Sequence, residues 1–235
     1  MFIHGAGASS AAWMGILSRV GRFRRSLAFD LPGHGQSTGA VSSVDEMRDA
    51  IGVSAAKLCL GPSVVVGHSL GGLVALSAAL SWPDKVAGLV VVCAGARMKV
   101  AQPVFDVLEK SWPAWPRLLA ETAYSPETPP DIRAQGASIA VAASQAQTTA
   151  DFRAVAECDL RHRVGQVGAI RCPTLIVAGG DDFLAPVKWG ALLAEAIPGA
   201  KIALLPRCGH MPMHEQPDAL AKVLLEFLGG ITART

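Results

Sequence analysis

The sequence predicts an α/β fold built on a mainly parallel twisted sheet flanked by helices. Three observations carry this. Short Val/Ile/Leu runs without polar alternation recur along the chain, as in strands buried on both faces. Longer segments with helical spacing separate them. One of the apolar runs, Val64-Val65-Val66, leads through a glycine-rich turn into a helical run, Leu73-Val74-Ala75-Leu76. The strand-like runs are Met1–Ile3, Ser26–Phe29, Ser63–Val66, Gly88–Cys93, Thr174–Ala178 and Lys201–Leu205. Helical spacing covers Ala11–Val20, Val44–Leu58, Leu70–Ser81, Lys188–Ala196 and Pro217–Phe227.

Between about Arg97 and Val164 the alternation stops. This stretch holds Pro103, Pro113, Pro116, Pro126, Pro129 and Pro130 with helical patches between them. It reads as a helical insertion, 97–164, dividing a core made of 1–96 and 165–235.

Composition narrows the function classes. With 51% hydrophobic and 17% charged residues, the 235-residue chain is too apolar for disorder. It is also long enough to bury a core without disulfide or metal staples. Lys and Arg number 21 against 19 Asp and Glu, a net charge of +2. That balance offers no argument for nucleic acid or an anionic membrane as partner. The five cysteines, Cys59, Cys93, Cys158, Cys172 and Cys208, show no C-x-x-C spacing. They read as buried free thiols in a reducing cytosol rather than a zinc site or disulfide framework. The first residues lack a basic region followed by an apolar stretch, so no signal peptide is expected and a cytoplasmic location is. Leu58 to Trp82 carries no Asp, Glu, Lys or Arg. Its glycines and Pro62 mark it as strand, turn and helix rather than a membrane span.

The turn is where chemistry enters. Gly67-His68-Ser69-Leu70-Gly71 is a G-x-S-x-G pentapeptide between strand and helix, the context in which a serine hydroxyl stands exposed on a strained elbow. Small residues two positions either side let the chain turn sharply. The next N–H, that of Leu70, lies at a helix N-terminus, where a developing oxyanion is stabilised.

With these residues the chain resembles the α/β-hydrolase family, in its single-domain esterase and lipase-like branch. His4-Gly5-Ala6-Gly7 resembles the family's HG oxyanion loop, and Asp30-Leu31-Pro32-Gly33-His34-Gly35-Gln36-Ser37 its D-x-P-G-x-G-x-S turn. The resemblance runs from Phe2 to about Leu228 and is weakest in the insertion. It implies a serine–histidine–acid triad in the order Ser, Asp/Glu, His. Asp181 and Asp182 both follow the Leu175–Ala178 run. The spacing in similar sequences selects Asp182 as the acid and leaves Asp181 as a turn or capping residue. Of the histidines after Ser69, His162 lies among charges and His214 at the start of the last helix. His210, in a segment similar to the family's G-H-x-x-x-x-E-x-P, is the base. The oxyanion donors implied are the N–H groups of Leu70 and Ala6. His4 and His34 are expected to hydrogen-bond the surrounding loops, and His68 to point away from Ser69. Relatives usually carry two strands before the HG loop; only three residues precede His4 here, so those two edge strands are expected to be missing from this sequence, either because the fold is trimmed at one edge or because the sequence begins late. With Ser69 as nucleophile and Ala6 in the loop, dehalogenase and epoxide hydrolase readings are disfavoured.

The insertion is expected to cap the site. Its eight basic and eight acidic residues cancel. Asp159-Leu160-Arg161 ahead of Cys172-Pro173-Thr174-Leu175 resembles pimeloyl-[acyl-carrier protein] methyl ester esterases, which dock an acidic carrier on a basic cap; a neutral cap weighs against that partner. Trp112, Trp115, Phe105 and Phe183 are candidates for an apolar pocket wall, with Met98, Met211 and Met213 as a deformable one. The expected function is hydrolysis of small to medium carboxylic esters through an acyl-enzyme, with a small-molecule ester as substrate and no cofactor or metal. A lactonase, a C–C bond hydrolase or a cofactor-free perhydrolase would use the same triad. A non-catalytic small-ligand receptor is the alternative of another class.

Overall fold

A computed structural model describes residues 1–141, 144–166 and 169–231. Positions 142 and 143 of the insertion, and 167, 168 and 232–235 of the second core segment, lie outside the described residues. The chain runs β1 (Phe2–Ile3), α1 (Met14–Val20), β2 (Ala28–Phe29), α2 (Val44–Lys57), β3 (Ser63–His68), α3 (Leu70–Ser81) and β4 (Val86–Val92). Among the described residues five α-helices follow: α4 (Gln102–Lys110), α5 (Trp115–Thr122), α6 (Pro130–Ala140), α7 (Gln145–Glu157) and α8 (Arg161–Val164). The chain then completes β5 (Thr174–Gly179), α9 (Val187–Ala196), β6 (Lys201–Leu205), α10 (Pro212–Glu215) and α11 (Pro217–Gly229). A 3-10 turn, Ser10–Trp13, leads into α1, so the first helical segment is split where the sequence suggested one run.

The six strands form one sheet in the order β2-β1-β3-β4-β5-β6, and every neighbouring pair is parallel. The inner strands β1, β3, β4 and β5 are mainly buried on both faces, which is why they read as unbroken apolar runs, while Ile202 and Leu204 of the edge strand β6 are exposed. Val65, Leu89, Val91 and Ile176 pack on one side against residues of α2, α3 and α9. Val66, Val90, Val92, Leu175 and Val177 pack on the other against α1 and α11. The helix starts are written locally. Ser43 caps α2, its hydroxyl accepting from the Glu46 N–H, while the Glu46 carboxylate accepts from the Ser43 N–H.

The strand order fixes where a site can lie. The chain leaves β1 for the edge strand β2, then returns to the other side of β1 to make β3. The loops leaving β1 and β3 therefore diverge, opening a crevice at their carboxyl ends. Those loops are His4–Gly7 and the turn at Ser69. Leu58–Trp82 resolves into β3, the turn and α3; among the described residues no helix is long and apolar enough to cross a membrane. Cys93 and Cys208 are buried, Cys158 and Cys172 half-buried; Cys59 is exposed, correcting the expectation that all five are interior, because it follows the end of α2 in the loop to β3.

Candidate active site

Ser69 sits between β3 and α3 with φ 53° and ψ −117°, a conformation rare for a residue with a side chain. The flanking glycines permit it. A Cβ on Gly67 would collide with the Gly71 carbonyl, and a Cβ on Gly71 with the backbone of Ile3 and His4. The elbow is thus pressed against β1, which brings Ser69 to the loop that follows that strand.

In that loop, the Leu31 N–H donates to His4 Nε2 at 3.1 Å. With Nε2 accepting, the proton of His4 is on Nδ1, which donates to the Gly5 carbonyl at 2.8 Å. That carbonyl belongs to the peptide unit whose N–H is Ala6. In a trans peptide the two point in opposite directions, so tethering the carbonyl sets the direction of the Ala6 N–H. Ala6 borders the cavity in front of Ser69. Leu70, buried, is the first residue of α3, and its N–H has no carbonyl one turn back.

His210 follows β6 on a loop held at every turn. Its N–H donates to the Ala123 carbonyl at 2.7 Å, and its carbonyl accepts from His68 Nε2 at 2.7 Å. Glu215, on α10, accepts from the Gly209 and Met211 N–H groups at 3.0 and 3.1 Å. It also accepts from the Ser125 N–H and the Thr128 hydroxyl, at 2.8 and 2.6 Å. The imidazole Nδ1 lies 2.8 Å from Asp182 Oδ2. Asp182 is fully shielded, and its Oδ1 accepts from the Leu184 and Ala185 N–H groups at 2.9 and 2.8 Å. The neighbouring Asp181 turns away and accepts from the Ser125 hydroxyl at 2.6 Å. The sequence candidates Ser69, His210 and Asp182 thus come to one place, the last two in direct contact. Among the described residues no hydrogen bond joins Ser69 Oγ to His210; in a substrate-free site that contact commonly tightens only around the reacting group.

Ser69 and His210 border a cavity of about 450 Å³, large enough for a small organic molecule. Met98, Val104, Leu119, Phe152 and Val155, all from the stretch between β4 and β5, line it together with Phe183 and Met211. Phe183 is 73% exposed. A second cavity, about 510 Å³, lies at the opposite ends of the strands among Ile51, Val65 and Trp82 and is lined by no serine, cysteine or histidine.

Four expected wall residues are elsewhere: Met213, on α10, is buried in the core layer beneath α1 and α11, and three aromatics also miss the wall. Phe105 follows Val104 on α4, and one helical step of about 100° takes it off the wall. Trp112 is half-buried in a 3-10 turn, packed on the core layer beneath α1 and α11. Trp115 is buried behind the wall, edge-on to Phe152 with ring centroids 5.3 Å apart. Phe152 and Val155 were not singled out in the sequence, though their i, i+3 spacing on α7 was the signal available. Trp115→Ala is expected to cost about 3–5 kcal/mol of stability by urea unfolding, as a large cavity opened in the core, and to leave the size of ligand that the cavity accepts unchanged. Phe152→Ala, by contrast, should let the cavity accept longer ligands, measured with a ligand series of increasing chain length.

Three buried histidines are held neutral. Burial pulls His4 and His214 each down to about 4, and His68 well below the usual histidine range. The unfolded chain protonates them near roughly 6.5. Between pH 6.5 and 4 the unfolded state therefore binds more protons, and stability falls as pH falls, by at most about 1.4 kcal/mol per pH unit for each histidine. Urea midpoints should drop from pH 7 to pH 5, the raised pKa of His34 offsetting part of the fall. A midpoint that held or rose over that interval would contradict neutral interior histidines.

The model of the alpha/beta hydrolase family matches residues 1–223. The chain belongs to this family. It is 31% identical over 242 residues to a putative carbamate hydrolase of Agrobacterium fabrum, covering 95% of this chain and 90% of that protein. It is 26% identical over 246 residues to a pimeloyl-[acyl-carrier protein] methyl ester esterase of Neisseria meningitidis, covering 97% and 93%. Among solved structures, a thermophilic esterase superposes with a TM-score of 0.83 at 29% identity, covering 98% of this chain and 89% of that one. The family and these relatives make this α/β hydrolase a hydrolytic enzyme.

Proposed function

We propose that this hydrolase cleaves small to medium carboxylic esters, with Ser69 as nucleophile, His210 as general base and acid, and Asp182 as the orienting acid. The observation that carries the reading is the Asp182–His210 contact, made beside a cavity that Ser69 also borders. Ser69 Oγ attacks the ester carbonyl carbon while His210 Nε2 takes the hydroxyl proton. The Asp182 carboxylate holds the ring by Nδ1 and stabilises the imidazolium. The carbonyl oxygen becomes an oxyanion between the N–H groups of Ala6 and Leu70. Collapse expels the alcohol, protonated by His210. A water deprotonated by the same imidazole then releases the acid and frees Ser69.

The helices between β4 and β5 act in this reading as a cap that sets substrate size, since four of the apolar residues facing the cavity, Val104, Leu119, Phe152 and Val155, come from them. The esterases among the relatives support ester substrates. The printed name of the Agrobacterium relative brings carbamates as a second substrate class, since attack at a carbamate carbonyl needs the same residues. Hydrolysis of p-nitrophenyl esters of increasing chain length, beside a carbamate of matched size, tests both. Multiple turnovers on short and medium esters are expected. A single stoichiometric release would instead favour a ligand receptor on this scaffold.

A further inference from the structure

We infer that Asp151, on the α7 helix of the insertion, is a positioning residue for the oxyanion loop, so that the cap and the oxyanion site are set as one unit. The inference rests on the reading of Ala6 as an oxyanion donor. Asp151 is wholly buried, yet it lies 144 residues along the chain from the loop it reaches. Its Oδ2 accepts from the Gly7 N–H at 2.8 Å. Gly7 is the residue after Ala6, so this bond fixes the peptide plane on one side of Ala6 while His4 fixes the plane on the other. The donor N–H is clamped between an anchor on the core and an anchor on the cap.

The same oxygen meets His34 Nε2 at 2.8 Å, and His34 Nδ1 faces the Pro32 carbonyl at 3.1 Å. Both ring nitrogens of His34 confront acceptors, the arrangement of an imidazolium donating twice. Burial opposes that charge, but the hydrogen bond and charge of Asp151 outweigh it, and the His34 pKa is raised. His4 packs against His34 with ring centroids 4.9 Å apart and stays neutral, leaving Asp151 as the counter-ion. Gln147 Nε2 donates to Asp151 Oδ1 at 3.0 Å, one turn back on α7. The next residue on the helix, Phe152, faces the substrate cavity. A cap that seats its wall residue also seats the carboxylate that aligns the donor.

A role in alignment predicts a loss in the transition state rather than in substrate binding. Removing an oxyanion donor outright costs about 10²–10³ in kcat, and a misplaced one somewhat less. In p-nitrophenyl acetate hydrolysis, Asp151→Ala and the size-matched Asp151→Leu should lower kcat about ten- to a hundredfold with KM within about threefold. The affinity for a trifluoromethyl ketone, whose hemiketal on Ser69 needs the same donors, should fall in proportion. Asp151→Asn keeps an acceptor for Gly7 and should restore kcat to within about fivefold of the parent. Whichever of the alanine and leucine variants retains its native circular dichroism carries the readout. A folded variant with lowered melting temperature but unchanged kcat and inhibitor affinity overturns the inference, as does failure of asparagine to rescue. Failure of the esterase reading itself would show differently, as a wild-type chain that turns over no ester.

Discussion

Ser69→Ala is expected to abolish ester turnover, lowering kcat on the order of 10⁴- to 10⁶-fold while the protein stays folded. The size follows from interdependence: base, acid and oxyanion donors assist an attack that no longer occurs, and what remains is their small effect on water. The fold should tolerate the change and gain slightly from it only if alanine relaxes the strained elbow. It does not remove the positive φ, which the packing of Gly67 and Gly71 imposes. Initial rates with p-nitrophenyl butyrate, alongside thermal unfolding, check both halves. Activity above about a tenth of the parent would remove Ser69 from the mechanism.

Asp182→Asn is the second large effect, about 10⁴-fold in kcat, and the surrounding loop explains why. Asp182 Oδ1 accepts from two backbone N–H groups, of Leu184 and Ala185. An asparagine must leave its carbonyl oxygen there, which turns its NH₂ toward His210 Nδ1. The ring then accepts at Nδ1 and carries its proton on Nε2, the tautomer that cannot take a proton from Ser69. Asp181→Asn touches only the Ser125 hydroxyl and should cost little. The reverse order of the two effects would reassign the acid.

The parts of this molecule that can be read from sequence are those written locally. Val64-Val65-Val66 is apolar because both faces of β3 are covered, and Gly67 and Gly71 are glycine because their backbones meet β1 and α3 at contact distance. The helix over Leu70–Ser81 and the strand over Lys201–Leu205 also fall at their expected limits, the first as a run of buried small and apolar residues, the second as a short apolar run at the sheet edge. What escapes is long-range. Glu215 looks like a helix-turn carboxylate, yet it ties the His210 loop to Ser125 and Thr128, some ninety residues away. Asp151 is one of eight acids in a neutral insertion, and only folding brings it to Gly7 and His34. Trp112 and Trp115 were the conspicuous aromatics of the insertion. Size and apolarity suit a core as well as a pocket wall, and here the smaller Phe152 took the wall.

The central claim is that Ser69 is the residue acylated in turnover, and a fluorophosphonate tests it directly. Attack by Oγ on phosphorus expels fluoride and leaves a stable phosphonyl ester on the serine. Peptide mass spectrometry of the labelled protein should place one adduct per chain on Ser69, with ester hydrolysis lost in step with labelling. Label and inactivation should both disappear in Ser69→Ala and slow sharply in Asp182→Asn. An adduct on another residue accompanied by loss of activity, or full activity retained after stoichiometric labelling of Ser69, would contradict the account.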